Sequence, residues 1–505
     1  MNNILSLQPT EVWQYFYEIS QIPRASKNME KIIAYLQNFG KKHHLETLTD
    51  EAGNVLIKKP ATLGCVSKKT VALQSHIDMV CEKNSDTAHD FATEPIKTYI
   101  DGDWVRARGT TLGADNGIGV AAMLAVLAAD NIRHGNLECL FTIDEEIGLL
   151  GALALKKDFL SADVLINLDS GDENEVFIGC AGGINTTAFF NYEKEKTPEN
   201  YFYFRVNVGE LLGGHSGCDI EKGHANANRI LAHFLWKLGN ETDLRLCEIN
   251  GGSASNAIPR EAWAVAAVPF DYKENLRIAF NIYLADLESE WKKREPRMKL
   301  LLESDMKQTI CDMRYATSRH CKSQIANRIS HIDKNTSDRL LNALLACPHG
   351  VLAMSADIDG LVETSTNLAS VKMLENNTIE IVTSQRSSIE AAKIGAMNSV
   401  ESVFRLAGVK KITHNEGYPG WKPNIDSEIL RTTIECYRRL FRKKPRIRAI
   451  HAGLECGLFL QKYPNLDIVS FGPTILNPHS PDEMVKISSV DRFWNLLVEM
   501  LKTVC

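Results

Sequence analysis

The sequence contains no C-x-x-C pair: its twelve cysteines stand at 65, 81, 139, 180, 218, 247, 311, 321, 347, 436, 456 and 505, too scattered for a zinc knuckle or a dithiol redox motif. Buried, reduced thiols are expected. No run of about 18 apolar residues occurs, so no membrane-spanning helix is expected. The opening Met1-Asn2-Asn3-Ile4-Leu5 has no basic segment leading into an apolar one, which argues against a secretory signal. Excess basic charge is missing too: 57 Lys and Arg against 63 Asp and Glu leave a net charge of −6, so no global field attracts nucleic acid or an anionic membrane. A cytoplasmic protein without polyanionic partners is expected.

What is present is ordinary globular material. With 505 residues, 44% of them hydrophobic and 24% charged, two or three compact units with a substantial core are expected. Residues 29–44 carry Ile32, Ile33, Leu36 and Phe39 at helical spacing. Strands are expected over 54–58, 70–74, 137–143 and 163–168, alternating with helices over 118–129 and 152–160, which is the pattern of an α/β sheet. From about 186 the strands lengthen and the helices become more charged, with strands over 202–208, 262–268, 298–302, 369–373 and 379–383 and helices over 225–238, 276–291, 337–345 and 389–406. This part reads as one and a half to two small two-layer units in tandem. After about 413 the α/β style returns, with helices over 428–441 and 454–461, strands over 447–450 and 466–471 and a last helix from Ser488. The expected organisation is therefore an α/β three-layer catalytic domain, residues 1–185 and 413–505, interrupted by an α+β two-layer domain, residues 186–412. The absence of a Gly-, Ser- or Pro-rich linker agrees with such an insertion.

Open α/β sheets bind ligands beyond the carboxyl ends of their strands, and acids and histidines gather there. Ser75-His76-Ile77-Asp78 closes a strand, with alternation putting His76 and Asp78 on one side, so that the carboxylate is placed to orient a metal-binding imidazole. Leu112-Gly113-Ala114-Asp115-Asn116-Gly117 holds a carboxylate at a helix start, and its glycine spacing is not that of a dinucleotide site. Asp144-Glu145-Glu146 follows a buried apolar run, and three crowded acids need a cation or a raised pKa. Asp169 ends another apolar strand, and His479 lies in a loop beyond the strand over 466–471. Two histidines and three acids from strand-end loops suit two zinc ions sharing one carboxylate, with a spare glutamate as general base. The basic stretch Arg438, Arg439, Arg442, Lys443, Lys444, Arg446, Arg448 has no interleaved aromatics and reads as a solvated helix end.

Longer motifs carry a resemblance that covers essentially the whole chain: RARGTTLGADNG at 106–117, GGHSGCD at 213–219, NAIPR at 256–260, GLVETS at 360–365, SQRSS at 384–388 and HAGLECG at 451–457. The chain resembles the cocatalytic two-zinc metallopeptidases of the aminoacylase and carboxypeptidase-G group, and within it the aminoacyl-histidine dipeptidases. The resemblance implies hydrolysis of small peptides, preferentially Xaa-His dipeptides, by a metal-activated water and two zinc ions per chain, with manganese or cobalt as substitutes. It implies His76 and Asp169 on one ion, Glu146 and His479 on the other and Asp115 between them. Asp78 would orient His76, and Glu145 would be the general base. The insertion would be a lid and dimerisation domain in a homodimer, with His215 steadying the oxyanion and Asn256 and Arg386 contacting substrate. His451 and Gly453 would lie beside the substrate. The alternatives are another peptidase or N-acyl-amino-acid hydrolase of the group, such as a tripeptidase, or an inactive binding protein on the same fold.

Overall fold

The computed structural model describes residues 4–303 and 330–504. The chain divides into two compact units: the first runs to Cys180 and takes up Trp421–Ala449 and the residues from Leu454 onward, and the second comprises Ala181–Gly420 with Ile450–Gly453.

The first unit is built on an eight-stranded sheet ordered Glu46–Thr49, Val55–Lys59, Leu137–Thr142, Val71–His76, Val164–Asn167, Asp467–Ser470, Glu175–Cys180 and Arg446–Ile450. Leu137–Thr142, Val71–His76, Val164–Asn167 and Asp467–Ser470 run parallel. The first three of these are buried along their whole length, which is why they read as apolar runs rather than as alternating patterns. The helix Ala114–Ala128 is rich in Ala, Val and Leu and buried almost throughout, so it lies within the fold rather than on its surface. All four parallel strands end on the same side, at His76, Thr142, Asn167 and Ser470.

A small antiparallel sheet, Ile475–Leu476, Met484–Lys486, Trp104–Ala107 and Thr98–Asp101, belongs to the same unit. Its pairing of Met484 with Arg106 brings the loop after Leu476 beside the segment that leads into Ala114.

The second unit has one nine-stranded sheet. Lys299–Glu303, Tyr201–Gly209, Ala262–Pro269 and Arg245–Gly251 continue into Val362–Leu374, Thr378–Ser387, Gly182–Asn191 and Lys411–His414, with Gly350–Met354 pairing beside Val362–Leu374. The two halves meet at a single registered pair, Gly251 with Val371. The expected tandem units thus share one sheet. A core of Phe204, Leu231, Phe234, Leu340, Leu368, Ile381 and Phe404 holds the helices Ala227–Glu241, Lys273–Trp291, Lys334–Ala346 and Glu390–Leu406 to it.

Some expectations shift in detail. The helix expected over 152–160 is the short Leu150–Ala154, because Leu155 is already extended and Lys156, Lys157 and Asp158 offer no apolar face. Eight described cysteines are free thiols, six of them buried, with Cys218 exposed and Cys81 half-buried. Cys65 departs from the expectation and is disulfide-bonded. Cys311, Cys321 and Cys505 lie outside the described residues. No described helix is long and apolar enough to cross a membrane.

Candidate active site

In the first unit, His76 is the last residue of its strand and is almost fully buried. Its Nε2 lies 3.1 Å from Asp115 Oδ1 and 3.5 Å from Asp169 Oδ1. Its Nδ1 lies 3.2 Å from the Asp78 carbonyl and 3.4 Å from the Asp78 carboxylate, so Asp78 fixes the ring from behind.

Asp78 also shapes the acidic turn. Its Oδ1 accepts from the Glu145 N–H at 3.1 Å, and its Oδ2 accepts from the Glu146 N–H at 3.3 Å and the Ser26 hydroxyl at 2.8 Å. One buried carboxylate therefore sets both the imidazole and the backbone that carries the two glutamates. Arg24, also buried, closes the arrangement by donating to the carbonyls of Ile77, Asp78 and Gly113.

His479 meets the same cluster from the small sheet. Its Nε2 lies 3.0 Å from Glu146 Oε2 and 3.4 Å from Asp115 Oδ2. It follows the short strand Ile475–Leu476 of the small sheet, rather than leaving Asp467–Ser470 directly. Asp115 thus faces His76 through one oxygen and His479 through the other. Ligand atoms of His76, Asp115 and Glu146 lie within 4.8 Å of one another.

The electrostatics record a surplus of negative charge. Burial alone would lower the His76 imidazole, yet Asp169, Asp115 and Asp78 hold it well above its ordinary value. Hydrogen bonds to Asp115 and Glu146 lift His479 to about 10. Burial pushes Asp169 up to about 6 against the pull of His76, and Glu145 is raised well above its usual range, first by burial and then by Asp169, Glu455 and Glu146. Glu146 Oε1 is buried without a partner among the described residues. Three acids and two imidazoles aimed at one another, with an orphaned carboxylate oxygen, form a donor set of the nitrogen and oxygen type that divalent zinc-like ions take.

Two glutamates outside the expected catalytic and ligand set complete the scaffold. Glu483 takes four backbone N–H groups at once, from Leu112 and Gly113 on Oε2 at 2.7 and 2.9 Å and from Ala114 and Asp115 on Oε1 at 2.8 and 3.2 Å. It thereby fixes the segment that presents Asp115. Glu455, fully buried, accepts from Gln74 at 2.6 Å and Thr142 at 2.8 Å. Gln74 in turn accepts from Asn167, whose own carbonyl oxygen takes the Asp169 N–H and the Ser470 hydroxyl. This polar layer ties together the ends of all four parallel strands. Burial, outweighing His76 and Thr142, pushes the Glu455 carboxyl up to about 8. The sequence places Glu455 with His451 in a turn before a helix, as a capping partner or a neighbour of the substrate, and marks Glu483 only by its place in the loop after His479.

The remaining expected residues gather within the second unit. His215 Nδ1 accepts from the Gly217 and Cys218 N–H groups at 3.2 and 3.1 Å, which leaves the ring proton on Nε2. An accepting Nδ1 belongs to the neutral ring, and burial and Arg386 shift this imidazole in the same direction, below its ordinary value. The Ser216 N–H donates to the Asn256 carbonyl at 2.8 Å, and Asn367 donates to the Ala257 carbonyl at 2.8 Å, which fixes the Asn256 turn. His451 Nε2 lies 2.7 Å from the Ser365 hydroxyl. Arg386 is 6% exposed, and its guanidinium meets the Tyr418 hydroxyl at 2.9 Å and the Ser216 hydroxyl at 3.4 Å. No carboxylate among the described residues pairs with it. Gly453 lies against the Tyr418 ring.

The profile described as peptidase family M20/M25/M40 matches residues 72–503. The chain belongs to that family. Over 505 residues this M20 peptidase is 44% identical to the cytosol non-specific dipeptidase of Escherichia coli, covering all of this chain and 99% of the relative. The structure of the aminoacylhistidine dipeptidase from Vibrio alginolyticus is similar at a TM-score of 0.87 and 44% identity, covering 99% of this chain and 98% of the other. The aminopeptidase PepT of Bacillus cereus shares the fold at a TM-score of 0.59 and 16% identity, covering 99% of each chain. Membership in a metallopeptidase family implies metal ions, and the cluster around Asp115 is the described group suited to hold them.

Proposed function

We propose that this M20 peptidase is a two-metal dipeptidase that hydrolyses unblocked dipeptides and prefers Xaa-His. The observation that carries the reading is the convergence of His76, Asp115, Glu146, Asp169 and His479, with Glu145 held on the same Asp78 clamp as Glu146. The full-length relatives named as dipeptidases support the substrate class, and the Vibrio protein's name supports histidine at the second position.

His76 and Asp169 would hold one zinc-type ion and Glu146 and His479 the other, with Asp115 shared. Bound there, such ions supply Lewis acidity to the scissile carbonyl and lower the pKa of the attacking water. Glu145 would take a proton from the attacking water and pass it to the leaving amine nitrogen, its carboxyl raised above the usual range by burial and by the neighbouring acids. His215, neutral and protonated on Nε2, donates a hydrogen bond to the oxyanion. Arg386 offers its planar fork to the substrate's terminal carboxylate, and Asn256 and His451 line the same subsite.

Residues 186–412 form a lid and dimerisation domain in this reading, the protein acts in the cytosol as the name of the Escherichia coli relative suggests, and the working species is a homodimer. Light scattering should return twice the chain mass of 56.4 kDa, whereas an active species of single mass removes the dimer. The function is tested on a panel of dipeptides, their amidated forms and N-acylated amino acids. Xaa-His should have the highest kcat/KM, N-acylated substrates should be poor, and a chelator should abolish turnover until zinc or manganese is returned. Undiminished activity after proven metal removal contradicts the reading.

A further inference from the structure

Within the second unit the Tyr418 ring occupies a seat made by close backbone approach. A Cβ added at Gly183 would stand 2.7 Å from the ring's Cζ, and one added at Gly453 would stand 2.8 Å from its Cε2. Real Cβ atoms essentially never come that near another heavy atom, so both positions must stay bare for the ring to remain where it is. The backbone of Tyr418 is held as firmly. Its N–H donates to the Gly183 carbonyl at 2.9 Å and its carbonyl accepts from the Gly183 N–H at 3.1 Å and the Lys393 ammonium at 2.7 Å.

From this seat the phenol oxygen accepts from Arg386 Nη1 at 2.9 Å. On its Nε side the same guanidinium reaches the Ser216 hydroxyl at the longer distance of 3.4 Å. The charge itself has no described carboxylate beside it, although the side chain is nearly buried. A buried guanidinium held by neutral acceptors keeps its charge available to an incoming anion while its plane is fixed.

We propose that Tyr418 is a positioning residue for Arg386: its hydroxyl holds the guanidinium plane in the orientation that grips the substrate's C-terminal carboxylate. This rests on the reading of Arg386 given above. It also gives Gly453 a role, as the seat of the tyrosine ring. Tyr418 acts through Arg386, so it sets selection for a free carboxylate rather than the chemical step.

The test is steady-state kinetics of the full-length, metal-loaded enzyme on one Xaa-His dipeptide and its C-terminal amide. Tyr418→Phe removes the hydroxyl and keeps the ring. Losing one hydrogen bond to a charged group should cut the preference for carboxylate over amide about tenfold, carried by KM rather than kcat. Gly453→Ala, which displaces the ring but keeps the hydroxyl, should lower the same preference. Arg386→Ala is measured in parallel. Loss of the preference in Arg386→Ala together with no change in Tyr418→Phe overturns the proposal alone. A preference that survives Arg386→Ala overturns both the proposal and the reading of Arg386 beneath it. An equal loss on both substrates in Tyr418→Phe, carried by kcat, also overturns the proposal, because it marks a merely structural role. In the Arg386→Ala background, Tyr418→Phe should have no further effect on the preference, since a positioning residue has nothing left to position.

Discussion

Asp78 touches the His76 ring and the N–H groups of both Glu145 and Glu146, so a single side chain decides the direction of three others. The H-x-D spacing made its service to His76 readable, because alternation in a strand puts both residues on one side. Its grip on Glu145 and Glu146 was not readable: those contacts span 67 and 68 residues and depend on how two strand ends meet. His451 shows a different residue-scale effect. Burial and the neighbouring Arg386 push its imidazole down to about 3, with only a hydrogen bond to the Val362 backbone opposing them. The unfolded chain binds a proton there below its ordinary value near 6.5, whereas the folded chain does not until about 3. Stability should therefore fall as pH drops through that window and be insensitive to this group above it. In His451→Gln the dependence of unfolding free energy on pH between 6 and 4 should flatten by up to about 1.4 kcal/mol per pH unit. An unchanged slope in denaturant unfolding contradicts a neutral, buried His451.

At the scale of elements, the parallel strands were legible because burial on both faces leaves uninterrupted apolar runs, and the acids stood where those runs stop. The small sheet was not. Its strands are two to four residues long and partly exposed, with too few positions for any period to show. That sheet nevertheless carries the loop in which His479 and Glu483 lie, and Glu483 binds backbone some 370 residues earlier in the chain. The four N–H groups that it collects would otherwise be unsatisfied around Asp115, and such outer partners typically govern metal affinity by 10–100-fold. Glu483→Gln keeps one acceptor and turns the other into a donor facing N–H groups. Zinc affinity, measured by competition with a chromophoric chelator, should fall by about 10–100-fold with little change in secondary structure. Wild-type affinity in that variant contradicts the role given to the Asp115 segment.

For the whole molecule, the return of α/β patterning after about 413 was enough to read an interrupted α/β fold, since the alternation of elements resumes with the same apolar strands. The joining of the second unit's halves into one sheet was hidden because only Gly251 and Val371 are paired at the junction. Membership in peptidase family M20/M25/M40 fixes the kind of chemistry, while the placement of each proposed ligand rests on contacts between segments far apart in the chain. In the proposed reading, five side chains hold two ions while Glu145, beside one of them in sequence, moves the proton. Elemental analysis and turnover of the wild type, Glu145→Gln and Glu146→Gln measure it directly. About two zinc-type ions are expected in the wild type and in Glu145→Gln, with turnover of Glu145→Gln lower by roughly 10²–10⁴-fold and reduced metal content in Glu146→Gln. Loss of metal in Glu145→Gln with full metal in Glu146→Gln would contradict it.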